Sequence, residues 1–114
     1  MRVLILEDEL VTAFDLQLIV EDAGHDVEGP FGTLADAGAA LRDIDFALLD
    51  IDLPDGKSFG LAQRLAERGT PFAFLSGSWR SDLPAVLQHV PFLPKPCTPA
   101  AICRILSPVV AAAA

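Results

Sequence analysis

Six polar side chains stand at or directly after the ends of short apolar runs of this chain, where a folded sheet would bring them together. They are Glu7, Asp8, Asp50, Asp52, Ser76 and Lys95. Carboxylates that gather at one place repel one another unless a cation offsets their charge. Mg²⁺ prefers carboxylate and water oxygens as ligands. The four acids of this set therefore predict a magnesium site.

The same residues have the composition of a phosphoryl-transfer site. A magnesium ion usually takes only a couple of protein carboxylates, which leaves positions for phosphate oxygens. Lys95 and Ser76 add a cation and a hydroxyl group that can stabilise the negative charge of those oxygens. A carboxylate at the tip of a central strand can form an acyl phosphate, so Asp50 is the candidate nucleophile. Each residue alone also fits an ordinary solvated loop, and only their joint placement is specific.

Apolar runs that suit buried strands alternate with helical patterns along the whole chain. Five strands that alternate with helices predict an α/β fold, a doubly wound parallel sheet with helices on both faces. Such sheets bind ligands beyond the carboxyl ends of their strands, where the six polar residues stand. The predicted strands cover residues 2–6, 26–28, 45–50, 71–75 and 91–93.

Four helices are predicted with ordinary start signals, and a fifth is predicted to be short. Thr33, Ser58 and Thr98 are candidate N-caps. The first helix begins at Leu10, and its apolar residues fall along one broad stripe made of Leu10, Ala13, Phe14, Leu16, Ile19 and Val20. Prolines between Ser76 and Lys95 leave room for about two helical turns, over residues 82–89, so we predict a short, mobile fourth helix there.

Composition limits the classes of protein to which this chain can belong. It has 114 residues, 52% of them hydrophobic, and eight Lys and Arg against sixteen Asp and Glu. One domain with a sizeable core is expected, and the net charge of −8 argues against nucleic acid or an anionic membrane as a partner. Two cysteines are too few for a disulfide scaffold. The N-terminus turns acidic at Glu7 before a signal peptide could develop, so we expect a cytoplasmic protein.

Four motifs of this sequence resemble those of response-regulator receiver domains. They are Leu-Ile-Leu-Glu-Asp-Glu at 4–9, Leu-Leu-Asp-Ile-Asp-Leu-Pro-Asp-Gly at 48–56, Leu-Ser-Gly at 75–77 and Leu-Pro-Lys-Pro at 93–96. The similarity covers the whole chain, which implies a single receiver domain over residues 1–114 with no output domain. It also implies a flavodoxin-like five-stranded sheet in the order 2-1-3-4-5.

The resemblance implies a role for each acid. Asp50 would accept a phosphoryl group from the phosphohistidine of a histidine kinase. Asp8 would bind Mg²⁺ directly and Glu7 through water, and Asp50 and the backbone carbonyl of Asp52 would complete the protein ligands. The protein would then act as a phosphoacceptor and not as an enzyme on other substrates.

The resemblance also implies roles for residues that respond to the phosphoryl group. Ser76 would bond a phosphoryl oxygen, and Lys95 would pair with the phosphorylated Asp50. Phe92 stands at the family's aromatic switch position, although an ordinary core aromatic fits it equally well. Trp79, which follows Ser76 by three residues, would flank the site or pack within its loop.

The expected partners are a histidine kinase and a downstream protein or phosphotransfer partner, with the chain itself a monomer or a weak phosphorylation-dependent dimer. Residues 69–77 also resemble a subgroup of single-domain receivers with a Pro-Phe-x-Phe-Ala-Thr-Gly motif and a reduced fourth helix. Here Leu75 and Ser76 replace Ala and Thr, so the match to this subgroup is incomplete.

Two alternatives belong to other functional classes. Asp50-Ile51-Asp52 also resembles the first motif of haloacid-dehalogenase-type phosphatases, in which the first Asp is the nucleophile and the second a general acid. That motif normally lies on the first strand, whereas Glu7 and Asp8 precede it here. The other alternative is a pseudo-receiver that binds a partner without phosphorylation, and the complete set of Asp8, Asp50, Ser76 and Lys95 argues against it.

Overall fold

The computed structural model describes residues 1–77 and 83–113. Five parallel strands form the central sheet, in the order β2-β1-β3-β6-β7. These are β1 (Arg2–Leu6), β2 (Asp26–Phe31), β3 (Phe46–Asp50), β6 (Phe72–Ser76) and β7 (Phe92–Pro94). The predicted sheet and its strand order are therefore confirmed, since β6 and β7 are the fourth and fifth strands of this sheet.

A small antiparallel hairpin follows β3 and was not expected from the sequence. It consists of β4 (Asp52–Leu53) and β5 (Gly56–Lys57). Pro54, Asp55 and Gly56 supply the turn chemistry that the sequence indicates. Strands of two residues are too short to produce an alternating pattern, so the hairpin could not be recognised by periodicity.

Helices cover both faces of the sheet. They are α1 (Leu10–Asp22), α2 (Leu34–Gly38), α3 (Phe59–Glu67) and α4 (Pro99–Ala113). Leu16 and Val20 of α1 and Ile102 and Leu106 of α4 are buried in one core, while α2 and α3 contribute to the core on the opposite face. Among the residues that the structure describes, no helix is long and apolar enough to span a membrane.

The N-terminus of α2 is capped by residues from two parts of the chain. The Thr33 hydroxyl accepts a hydrogen bond from the Asp36 N–H at 3.2 Å, as its predicted N-cap role requires. The Asp55 carboxylate in the β4–β5 hairpin accepts the N–H groups of Leu34 and Ala35 at 2.8 and 3.1 Å. These backbone hydrogen bonds lower the pKa of Asp55. The hairpin beside Asp50 is thereby tied to α2.

We expect Asp55→Ala to destabilise the protein at neutral pH, because two helix N–H groups lose their acceptors. A lowered pKa in the folded state means that this stabilisation is complete above the ordinary aspartate pKa and is lost as the pH falls through the lowered value. Urea unfolding at several pH values should show the difference from wild type shrinking under acidic conditions. Exposed Asp15 on α1 offers the control, and an equal, pH-independent loss in Asp15→Ala would contradict the cap.

The fourth helix is shorter than two turns. The predicted α-helical stub over residues 82–89 is wrong in type, because residues 83–89 contain a single 3₁₀ turn at Ala85–Leu87. Pro84 immediately precedes this turn, and it both lacks an N–H donor and restricts the backbone at its start. Leu83 and Val90 are buried and anchor the segment at both ends. The mobility of this segment stays a prediction.

The apolar stripe of α1 is divided between core and solvent. Ala13, Leu16 and Val20 are buried, as the helical period predicts. Leu10 and Phe14, however, are 74% and 63% exposed. Their assignment to one stripe with the core residues was therefore wrong. The helix is apolar on most of its circumference, so its period could not show which side meets the sheet.

Candidate functional site

The carboxyl ends of the parallel strands bring the predicted site residues to one edge of the sheet. Glu7 directly follows β1, Asp50 is the last residue of β3, and Ser76 is the last residue of β6. Lys95 directly follows β7. Since all four strands run in the same direction, their ends meet at the edge where doubly wound sheets bind ligands.

The Lys95 ammonium group lies between two buried carboxylates. Its Nζ is 2.6 Å from Glu7 Oε2 and 3.2 Å from Asp50 Oδ2. Glu7 and Asp50 are only 3% and 7% exposed. The Lys95 backbone N–H also donates to the Ser76 carbonyl at 3.0 Å. The pairing of β6 with β7 is thus extended by this backbone hydrogen bond, which places Lys95 beside Ser76 at the site.

Backbone donors orient the two buried carboxylates. Asp50 Oδ1 accepts the Ile51 N–H at 2.8 Å, and Glu7 Oε1 accepts the Glu9 N–H at 3.1 Å. Glu7 Oε2 has no regular hydrogen bond among the described residues besides its ion-pair contact with Lys95. One oxygen of each carboxylate is thus held by the backbone, and the other faces the ammonium group.

The charges of the site are only partly compensated. Burial raises the pKa of Glu7, although Lys95 and the Glu9 N–H act in the opposite direction. Burial likewise raises the pKa of Asp50 against the effects of Lys95 and the Ile51 N–H. Burial lowers the pKa of Lys95, but the two carboxylates outweigh it, so this pKa lies above its ordinary value. One ammonium group therefore does not fully offset the cost of burying these acids.

Three carboxylates lie close enough to share one metal ion. Glu7, Asp8 and Asp50 each offer an oxygen, and these atoms lie within 4.8 Å of one another. Asp8 is exposed, whereas the other two are buried. An all-oxygen set with surplus negative charge suits a hard divalent cation. The residues present therefore fit a metal ion at this position.

The remaining predicted residues occupy different surroundings. The Asp52 side chain is 58% exposed and pairs with Lys57 across the β4–β5 hairpin. Phe92 is half-buried on β7, where it lies in register with Phe74 of β6. Trp79 lies outside the residues that the structure describes. The contact of Lys57 with Asp52 was not predicted, because only the unexpected hairpin brings the two residues together.

Comparison with known proteins identifies the family of this chain. No family model matches it. The chain is 32% identical to SdrG from Sphingomonas melonis Fr1, with 96% of both chains covered and a TM-score of 0.83. A CheY-like response regulator receiver domain from Methylobacillus flagellatus is 26% identical over 96% of this chain and 98% of its own, also with a TM-score of 0.83. This chain belongs to the response-regulator receiver domains.

One curated relative of this receiver domain is a longer protein. The cell cycle transcriptional regulator CtrA of Caulobacter vibrioides is 36% identical over an alignment of 87 residues, and the match covers 72% of this chain. The matched region spans only 37% of the length of CtrA. The similarity to CtrA therefore concerns a part of that regulator.

Proposed function

We propose that this receiver domain accepts a phosphoryl group on Asp50 from the phosphohistidine of a histidine kinase. The observation that carries the proposal is the position of the Asp50 carboxylate at the tip of β3, with Lys95 Nζ 3.2 Å from Oδ2 and two further carboxylates beside it. Receiver domains of response regulators in general act with histidine kinases and downstream partners.

The transfer exchanges one bond to phosphorus for another. A carboxylate oxygen of Asp50 forms the new O–P bond while the N–P bond of the phosphohistidine breaks, and the imidazole leaves with the bonding electron pair. Lys95 Nζ lies 3.2 Å from Oδ2 of the attacking carboxylate, where it would supply positive charge to the transferred oxygens. We assign the hydroxyl of Ser76, at the neighbouring strand end, to bond one of these oxygens after transfer.

We propose that Glu7, Asp8 and Asp50, together with the backbone carbonyl of Asp52, hold Mg²⁺. When bound, the ion offsets the charge of the carboxylates and of the phosphoryl oxygens. The buried position of Glu7 and Asp50 supports this assignment, because their charge is costly there without a second cation.

The response to phosphorylation is proposed to spread along the segment between Ser76 and Lys95. The two ends of this segment carry the two groups assigned to the phosphoryl oxygens, and Phe92 lies within it. A ligand that binds both ends favours one packing of the segment over another. The changed surface would then be read by a downstream protein.

Intact-mass measurement after incubation with acetyl phosphate tests the function. We expect one phosphoryl group per chain, formed only with Mg²⁺ present and mapped to Asp50 by borohydride reduction. A wild-type protein that gains no adduct would instead support the pseudo-receiver. Many turnovers of p-nitrophenyl phosphate per chain would support the phosphatase alternative, which the pairing of exposed Asp52 with Lys57 disfavours.

A further inference from the structure

A cavity of about 680 Å³ opens between α3 and the segment that carries the 3₁₀ turn, on the face of the sheet opposite α1 and α4. Sites for small molecules in proteins ordinarily have volumes of about 300–1,000 Å³ and mostly apolar walls. None of the described residues that line this α3 cavity belongs to the phosphoryl-transfer site. Its lining includes Phe59, Gly60, Gln63, Phe72, Leu87 and Val90.

The α3 cavity exists because the connection between β6 and β7 supplies little helix. The described residues of this connection contain one 3₁₀ turn of three residues, whereas α1 and α3 have 13 and 9 residues. Leu83 and Val90 are buried at the two ends of the segment, but Leu87 between them is only half-buried. The segment is thus anchored at its ends, and a gap remains between its middle and α3.

Three phenylalanine rings form a connected cluster at the inner wall of the α3 cavity. The Phe74 ring is fully buried and contacts Phe59 and Phe72 edge-to-face, at centroid distances of 5.9 and 5.6 Å. Phe59 and Phe72 also line the cavity. A further ring can extend such a cluster, because aromatic side chains attract other rings in edge-to-face and offset arrangements. The wall therefore favours a ligand with aromatic rings.

The charges around the α3 cavity favour an uncharged ligand. The chain has a net charge of −8, yet none of the described residues that line the cavity is Asp, Glu, Lys or Arg. A charged group among them would lose its water without gaining an opposite charge. Gln63 and His89 are exposed members of the lining and can exchange hydrogen bonds with a neutral polar group.

We propose that the α3 cavity binds an uncharged aromatic small molecule with a hydrogen-bonding group. A small molecule suits the cavity better than the surface of a folded partner, because α3 and the 84–90 segment enclose it from two sides. This binding goes beyond the proposed function, since it needs neither a phosphoryl group nor any residue of the phosphoryl-transfer site. Failure of phosphorylation at Asp50 would leave it unaffected.

Two dyes with the same rings test the chemistry of the ligand. 1-Anilinonaphthalene is an uncharged aromatic amine whose fluorescence rises in apolar surroundings, and 8-anilinonaphthalene-1-sulfonate carries one added sulfonate. Titrations in about 0.5 M NaCl screen the net charge of the chain. We expect saturable binding of the uncharged dye and at least about tenfold weaker binding of the sulfonate, because the cavity offers it no cation.

Gly60→Leu and Phe14→Ser test the location. A Cβ atom added at Gly60 meets no heavy atom within 4 Å, so leucine can occupy the cavity without displacing a neighbour. Phe14 is 63% exposed on α1 and controls for dye adsorbed to another apolar surface. The affinity for 1-anilinonaphthalene should fall at least about tenfold in Gly60→Leu and stay at the wild-type value in Phe14→Ser.

Nuclear magnetic resonance locates the dye without a variant, since the amide signals of Leu87 and Val90 in the wild type should shift on binding. Unshifted signals there, undiminished binding by Gly60→Leu, or equal affinity for the two dyes would each overturn the proposal. Loss of binding in Phe14→Ser would assign the dye to α1 and overturn it too. A wild-type dimer in sedimentation that Gly60→Leu dissociates would assign the cavity to a second copy, with the same consequence.

Discussion

Asp50→Asn is expected to abolish acceptance of a phosphoryl group and, at the same time, to stabilise the metal-free protein by about 1 kcal/mol. The amide is a poor nucleophile, so labelling by acetyl phosphate should disappear. Asn keeps an oxygen that can accept the Ile51 N–H at the place of Asp50 Oδ1. The substitution thus removes the charge of a buried group while preserving its shape.

The gain in stability follows from the raised pKa of Asp50. Burial makes the ionised form costly in the folded state, and the nearby Asp8 acts in the same direction. An acid with a raised folded pKa binds its proton more tightly when folded, so its ionisation at neutral pH destabilises the fold. A neutral side chain avoids this cost.

Urea unfolding in EDTA measures the effect. Asp52→Asn is the matched control, because Asp52 is exposed and its ion pair with Lys57 should contribute little. Mg²⁺ should stabilise wild type more than Asp50→Asn, since the variant lacks one carboxylate of the proposed metal site. A loss of stability in Asp50→Asn would show that its ion pair with Lys95 outweighs the cost of burial.

Lys95→Met is expected to have the opposite effect on the metal-free protein, a loss of about 2 kcal/mol. Methionine retains most of the length of the side chain but not its charge. Glu7 and Asp50 would then lose the ammonium group that they share, whose Nζ lies 2.6 Å from Glu7 and 3.2 Å from Asp50. Removing one partner of a buried ion pair is costly because it leaves uncompensated charge, and partial exposure of Lys95 reduces that cost.

Lys57→Met offers a matched control for the lysine substitution. Lys57 also pairs with a carboxylate, but both partners are more than half exposed, so its loss should cost less than 1 kcal/mol. Unfolding in EDTA and in excess Mg²⁺ should show that the metal restores part of the stability of Lys95→Met. Equal losses in both variants, or a deficit that Mg²⁺ leaves unchanged, would argue against a shared role of Lys95 and the metal.

The sequence pattern was sufficient to predict a parallel sheet and the edge at which the site forms, whereas the strand order was implied by the resemblance to receiver domains. Short apolar runs locate the parallel strands, and the carboxyl ends of such strands necessarily meet. Glu7, Asp50 and Lys95 could therefore be assigned to one place although 88 residues separate the first from the last. Their joint position depends on the parallel direction of the strands, which the alternation of strands and helices indicates.

Other features were decided by tertiary contacts. Asp55 reaches the first N–H groups of α2, and Lys57 pairs with Asp52, only because a two-residue hairpin forms. The single 3₁₀ turn at Ala85–Leu87 reflects proline geometry together with two buried anchors, and no helical period distinguishes it from a short α-helix.

Helix α1 shows most clearly what the periodicity of a sequence leaves undetermined. A helix that is apolar on most sides has no periodic signal for its buried face, and the sheet and α4 determine which residues the core receives. Packing buries Leu16 and Val20 and leaves Phe14 and Leu18 in solvent. The sequence by itself thus determined the fold and the chemistry of the site, because both depend on the order of elements and the residues at their ends. Only the tertiary structure decided which apolar side chains of α1 remain exposed, because burial depends on what packs against each face.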